Sequence, residues 1–166
     1  MSYAVIRTDL LSGTHQVADL VSLRFYDAEG KQAEVENGTI VKLEGYEDGQ
    51  REVMKAVAAS ASDKLNDCAI VAGVEVMYDE RKKNLDEYIN EAGKAIRGYI
   101  PRSRNIFSVT KEAFVNGTAP TKGATVGIGA NGKINATGTG LGTCVDVEVA
   151  GRYTYYVIKI DPTEVA

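Results

Sequence analysis

Two runs near the C-terminus limit the possible folds most. Cys144-Val-Asp-Val-Glu-Val149 and Arg152-Tyr-Thr-Tyr-Tyr-Val-Ile-Lys-Ile160 are β-rich and are separated only by Ala150-Gly151. Period-two alternation on both sides of a small turn specifies a β-hairpin. A loop of Ala150 and Gly151 sets Val149 opposite Arg152 and Val147 opposite Thr154. Val145, Val147 and Val149 then share a face with Tyr156, Ile158 and Ile160. Tyr153 and Tyr155 fall on the other face with Asp146 and Glu148.

The rest of the chain carries the same signature. Residues 3–7 read as a short strand, and residues 20–26 as a half-buried one with Val21, Leu23 and Phe25 on its apolar side. Turn signals at Asp27–Gly30 and Val35–Gly38 precede a strand at Thr39–Leu43, followed by a polar loop from Glu44 to Gln50. Arg51–Val57 fits a helix or a strand equally. Ala69–Tyr78 reads as a strand that ends at the charge run Asp79–Lys83, a solvated turn. Leu85, Tyr88, Ile89 and Ala92 form one apolar stripe at helical spacing, with Asn84 and Glu87 in capping-box positions and Gly93 at the C-terminal stop. Residues 95–109 look extended, and Pro101 steers Ile100 away from helix. Gly, Thr, Ala and Asn then dominate as far as Gly142. Seventeen Gly against three Pro fit many short strands joined by turns. The expected fold is mainly β (β-rich α+β), with two small β-barrel or sandwich-like parts and one short amphipathic helix at 84–93. Residues 1–112 form the first part and 113–166 a Gly/Thr-rich second part ending in the hairpin.

Composition narrows the function classes. The formal net charge is −4, and nucleic-acid binding needs clustered Lys and Arg, so no nucleic-acid partner is expected. No run approaches the roughly 20 apolar residues that cross a bilayer, so no membrane partner is expected. The N-terminal residues lack a basic segment leading into an apolar one, and synthesis in a cytoplasm without a signal peptide is the expectation. Cys68 and Cys144 are too few for a disulfide framework, and Cys68 reads as a small buried hydrophobe.

The motifs that could carry chemistry read as structure. Gly127-Ile-Gly-Ala-Asn-Gly132 has the G-x-G-x-x-G spacing, but the residues after it are too Gly-rich for the helix that would bind a pyrophosphate. Asn131-Gly132 is instead a hairpin signal. His15, the one histidine, sits in a turn-like segment away from any group of metal ligands. The acids Glu44, Glu47, Asp48 and Glu52 lack the order of a calcium loop. The sequons at Asn37, Asn116 and Asn135 read as turn residues. No catalytic, cofactor-binding or metal residue is therefore assigned, and an enzyme is not expected. Arg97, Tyr99, Arg102 and Arg104 form a local basic patch, and Tyr153 with Tyr155 form an aromatic pair. Arg and Tyr are enriched at interface hot spots, so both groups are candidate docking residues.

Five stretches carry a resemblance. They are Val5-Ile-Arg-Thr-Asp-Leu-Leu-Ser-Gly-Thr14, Val74-Glu-Val-Met-Tyr-Asp-Glu-Arg-Lys82, Asp86-Glu-Tyr-Ile-Asn-Glu-Ala-Gly93, Ile106-Phe-Ser-Val-Thr-Lys-Glu-Ala113 and Gly151-Arg-Tyr-Thr-Tyr-Tyr-Val-Ile158. Together they resemble small structural proteins of tailed phages of Gram-positive hosts, the head-decoration or cement proteins. The resemblance implies a virion protein on the capsid exterior, bound to major capsid protein, with a homo-oligomer such as a trimer as its form. It brings no catalytic residues with it. A tail or head-fibre β-module that binds a host glycan or another virion protein is the alternative. An enzyme built from acids that the sequence does not single out is the third.

Overall fold

The computed structural model describes residues 2–8, 19–79, 81 and 84–161. The fold is mainly β, with a closed five-stranded barrel and a separate six-stranded sheet. The strands are β1 (Ile6–Arg7), β2 (Leu20–Tyr26), β3 (Ile40–Glu47), β4 (Gln50–Ala58), β5 (Cys68–Val71), β6 (Ile96–Tyr99), β7 (Ile106–Val109), β8 (Thr125–Ile128), β9 (Ile134–Asn135), β10 (Gly140–Ala150) and β11 (Tyr153–Ile160). The barrel runs β2-β4-β3-β5-β6, with β2 and β4 parallel and β6 closing antiparallel onto β2. The second sheet runs β1-β7-β11-β10-β8-β9.

Side-chain alternation explains how the two bodies pack. Val21, Leu23 and Phe25 of β2 point into the barrel with Val41, Ala56, Ala69 and Val71. The opposite faces of β3 and β5 carry Ile40, Cys68 and Ile70, which join Phe107, Val109, Ile158 and Ile160 of the second sheet in one larger core. All four residues of β5 are fully buried because both of its faces are covered. That accounts for its unbroken apolar run. The barrel is narrow at β6: a Cβ on Gly98 would lie 2.6 Å from Leu23 Cδ2. The two bodies also meet at Gly132, whose N–H donates to the Ala59 carbonyl at 2.9 Å.

Several expectations change. The chain passes from barrel to second sheet between Tyr99 and Ile106, ahead of residue 112, and β1 joins the second sheet by pairing with β7. The helix expected at 84–93 is a single 3-10 turn, Leu85–Glu87, after which Tyr88 is extended. Glu87 does accept the Asn84 N–H at 2.9 Å, so the local start signal is real. A ten-residue helix is marginal by itself, and the competing backbone bridge between Asn90 and Val35 ends it. The expected loop 44–50 is mostly strand: β3 runs to Glu47 and turns at Asp48-Gly49 into β4, which settles Arg51–Val57 as strand. The 127–132 glycine motif is the β8–β9 hairpin, with Asn131 (φ 55°) and Gly132 (φ 69°) both left-handed.

The terminal hairpin forms as expected, but its loop is Gly151-Arg152. Val149 pairs with Thr154 and Val147 with Tyr156, and the register shifts between Cys144 and Asp146. A bulge adds one residue to one strand, so residues on either side of it swap faces. Cys144, opposite Ile158, therefore shares a face with Val147 and Val149, opposite Tyr156 and Thr154; Cys144 is buried in the core, whereas Val149, near the hairpin tip, is 77% exposed.

Phe107 stands fully buried where the two bodies meet. Phe107→Ala is expected to cost about 3–5 kcal/mol in chemical denaturation followed by circular dichroism. Leu85 is 38% exposed. Leu85→Ala is accordingly expected to stay within about 1 kcal/mol of wild type.

Candidate functional site

The docking candidates from the sequence divide between core and surface, although the Tyr153 and Tyr155 rings do pair, with centres 6.1 Å apart. Arg97 is exposed on β6, but Tyr99, two residues on, lies in the core between barrel and sheet at 6% exposure. Arg102 and Arg104 are exposed in the connection to β7. Arg102 Nε holds Asp19 Oδ1 at 2.7 Å. Tyr155 is also buried, with the Arg7 guanidinium 5.1 Å from its ring centre. Arg7 in turn bonds Glu148 at 3.0 Å. Tyr153 is half-buried, and its hydroxyl donates to Asp86 Oδ1 at 2.9 Å. Tyr99 and Tyr155 are thus packing residues, and Tyr153 ties the hairpin tip to the Leu85–Glu87 turn. Of the basic patch, Arg97 lines a groove.

The groove arises where β5 parts from β6. Their ladder pairs Ile70 with Tyr99 and Val71 with Gly98, and its last bond runs from the Ala72 N–H to the Arg97 carbonyl at 3.0 Å. Beyond Ala72 the chain runs to Asp79 without joining a strand ladder, and the Val76 N–H donates to the Val74 carbonyl at 2.8 Å in a tight turn centred on Glu75. The expected strand 69–78 is therefore paired only over Cys68–Val71. A cleft of about 1020 Å³ opens between this segment and β6, with Leu20, Val21, Tyr88, Ile96 and Arg97 among its walls. The segment keeps the parity of β5. Gly73, Glu75 and Met77 sit partly buried, while Val74, Val76 and Tyr78 are 59%, 52% and 85% exposed. Cys68, Ile70 and Ala72 share this outward parity and are covered by the second sheet; Val74 and Val76 extend past that cover.

A buried amide network fixes the inner side. Asn37 Nδ2 donates to the Gly73 carbonyl at 3.1 Å, and the Gly73 N–H donates back to Asn37 Oδ1 at 2.8 Å. Asn90 Nδ2 donates to Asn37 Oδ1 and to the Val35 carbonyl, both at 2.9 Å. The Tyr88 hydroxyl donates to Asn90 Oδ1 at 3.0 Å. Asn37 and Asn90 are 1% and 2% exposed, so these bonds satisfy groups that would otherwise be costly to bury. Position 73 admits only glycine here, because a Cβ would stand 2.0 Å from Asn90 Oδ1. Asn37 Nδ2 also reaches Glu75 Oε1 at 3.4 Å. Burial pushes the Glu75 carboxyl above its ordinary range, against the smaller opposing effect of that bond. Burial likewise raises the Tyr88 phenol, helped by the charge of Glu75.

The remaining chemical candidates are quiet. Cys68 and Cys144 are free, buried thiols, and burial drives Cys68 up to about 12, far from a reactive thiolate at neutral pH. Among the described residues no three His, Cys, Asp or Glu side chains converge as metal ligands. His15 lies outside the described residues. No protein-family model, curated protein or solved structure matches the chain.

The sequence held one sign of the groove: Gly73, then Glu75 between two valines, inside an apolar run. A carboxylate is costly to bury, so alternation by itself favours Glu75 outward and the valines inward; the structure has the opposite parity.

A raised folded-state value means that the folded protein binds the Glu75 proton more tightly than the unfolded chain does. Stability from this group is full below about pH 4.5, the ordinary glutamate value, and is lost as pH climbs through the raised one. Glu75→Gln is expected to melt higher than wild type at pH 7 and to converge with it near pH 4.

Proposed function

We propose that this protein is a non-catalytic virion structural protein that binds and stabilises the shell of a phage capsid, as a decoration or cement protein. One observation carries the reading. Val74, Val76 and Tyr78 form an exposed apolar row on a segment anchored by a buried network. Exposed apolar rows mark interaction surfaces, and a prealigned segment loses little entropy on docking. This row falls within Val74–Lys82, one of the stretches that carry the resemblance to phage head proteins. Major capsid protein is the partner in this reading, the capsid exterior the location, and a homo-oligomer the form of the protein. Arg97 stands on the far wall of the groove, placed to contact a partner seated there. Arg102 and Arg104 lie apart from it in sequence, in the β6–β7 connection.

A protein that binds the assembled shell and not its free subunits stabilises the shell by mass action. Purified wild type is expected to co-sediment with particles lacking it and to raise their resistance to heat. Val76→Asp/Tyr78→Asp, at exposed positions, is expected to keep its melting temperature and lose at least about tenfold in particle affinity, the effect of roughly 1.4 kcal/mol. Arg102→Ala/Arg104→Ala is expected to bind as wild type. Loss of binding in the arginine variant alone moves the docking face to the β6–β7 connection. No binding by wild type overturns the capsid reading in favour of a tail or fibre module.

A further inference from the structure

We propose that Asn116 is a site of spontaneous covalent modification in the folded protein. Its side-chain amide converts to a carboxyl through a cyclic imide, while the fold holds the Asn-Gly pairs at 37–38 and 131–132 unreactive. The inference goes beyond the capsid reading and does not depend on it. Asn-Gly occurs three times in the chain, at 37–38, 116–117 and 131–132. It is the dipeptide most prone to this reaction, because glycine has no side chain to hinder its own nitrogen. The glycine nitrogen attacks the Asn Cγ, so the N–Cγ bond forms and the Cγ–Nδ2 bond breaks. The proton lost from the glycine nitrogen leaves with Nδ2 as ammonia. Water then opens the five-membered ring at one carbonyl or the other and gives isoaspartate or aspartate.

The three sites differ in the freedom of the peptide plane that must turn. Asn116 has φ 54° and ψ 22°, and Asn131 has φ 55° and ψ 34°. At such ψ values the glycine nitrogen points away from Cγ, so the plane rotates before the ring closes. At 116 nothing opposes this but one exposed turn. Asn116, Gly117 and Thr118 are all exposed, and a Cβ on Gly117 would meet nothing within 4 Å. Rotation breaks the bond from the Gly117 N–H to the Phe114 carbonyl, 3.0 Å long, and solvent is at hand to replace it. Asn131 is exposed too, but Gly132 is buried where the two bodies meet. A Cβ there would stand 2.3 Å from the Ile40 carbonyl oxygen, so the plane has no room. Rotation would also leave the Gly132 N–H, now on the Ala59 carbonyl at 2.9 Å, as an unpaired buried donor. Asn37 is held hardest. It is 1% exposed, its amide is engaged by Gly73 and Asn90, and the Gly38 N–H donates to the Val71 carbonyl at 2.8 Å. Asp tolerates a left-handed φ as Asn does, so the aspartate product fits the turn at 116 without refolding.

The test incubates the full-length protein at mildly alkaline pH, in buffer and in concentrated guanidinium chloride, and follows each Asn-Gly peptide by mass spectrometry. In buffer the peptide holding Asn116 is expected to gain the mass of an amide-to-acid exchange at least about tenfold faster than the other two. In denaturant, where rotation is free at all three, the rates are expected to be comparable. Asn116→Gln is expected to abolish the change at 116, because glutamine must close a larger ring and does so far more slowly. Reaction by way of global unfolding would strike all three sites alike, so equal rates in buffer overturn the proposal. No change at Asn116 in buffer over a period that converts the denatured sample also overturns it, as does faster reaction at Asn37 or Asn131.

Discussion

The burial of β5 on both faces holds the molecule together. Ala69 and Val71 fill the barrel, while Cys68 and Ile70 fill the space between barrel and second sheet. A four-residue strand thereby joins two bodies that would each be small for a stable core. The consequence is a shared core rather than two separate ones. Phe107, Ile158 and Ile160 are buried because β3 and β5 present a flat apolar face to them. Polar contacts follow the same seam: Lys133 Nζ bonds Glu36 at 2.9 Å and the Glu112 carbonyl at 2.9 Å, tying the β8–β9 hairpin to the residues just before β3.

The groove is a direct result of this packing. The second sheet covers the outward face of β5 only as far as Ala72. Past that point the chain keeps its alternation but loses its cover, so residues of the core-facing parity meet solvent. The inward parity finds no apolar barrel to fill and is met by amides instead. Gly73 and Glu75 face Asn37, and Asn90 and Tyr88 complete the ring of bonds. An exposed apolar segment is open to unwanted association, which nearby charge opposes. Asp79 and Arg81 stand at the far end of this one, paired at 2.8 Å.

Local pattern made much of the architecture legible. The apolar parity of Val21, Leu23 and Phe25 in β2 and the pairing of β10 with β11 follow from period-two alternation. The hairpin loop lies one residue beyond its expected place, with Ala150 paired to Tyr153, and a bulge between Cys144 and Asp146 shifts the register again; nothing in Cys144–Val149 announces either. Asp48-Gly49 was a readable turn hidden within a polar stretch. The stripe Leu85, Tyr88, Ile89, Ala92 has true helical spacing, yet the deciding partner, Val35, is 55 residues from Asn90. Tyr99 and Tyr155 looked like surface aromatics since alternation assigns faces without saying which faces a second layer covers. Both lie under that second layer or beneath Arg7.

The groove was the least legible part for a related reason. Within Cys68–Val71 both parities are apolar, so the run does not show which set continues inward. The contacts that decide are Asn37 to Gly73, 36 residues apart, and Asn90 to Asn37, 53 apart. With Gly73 held by those amides, burial alternates along the segment and Val74 and Val76 lie outward. Burying the valines would require Glu75 to rotate out and the Asn37–Gly73 pair to break, leaving amide groups without partners in a closed space. Two lost bonds of this kind cost on the order of 2–6 kcal/mol, comparable with the gain of roughly 3–6 kcal/mol from fully burying two valines. The valines are already about half covered, so the recoverable part of that gain is smaller and the network prevails. The apolar row is therefore held outward by the fold itself, because burying it within this chain would break the intact network.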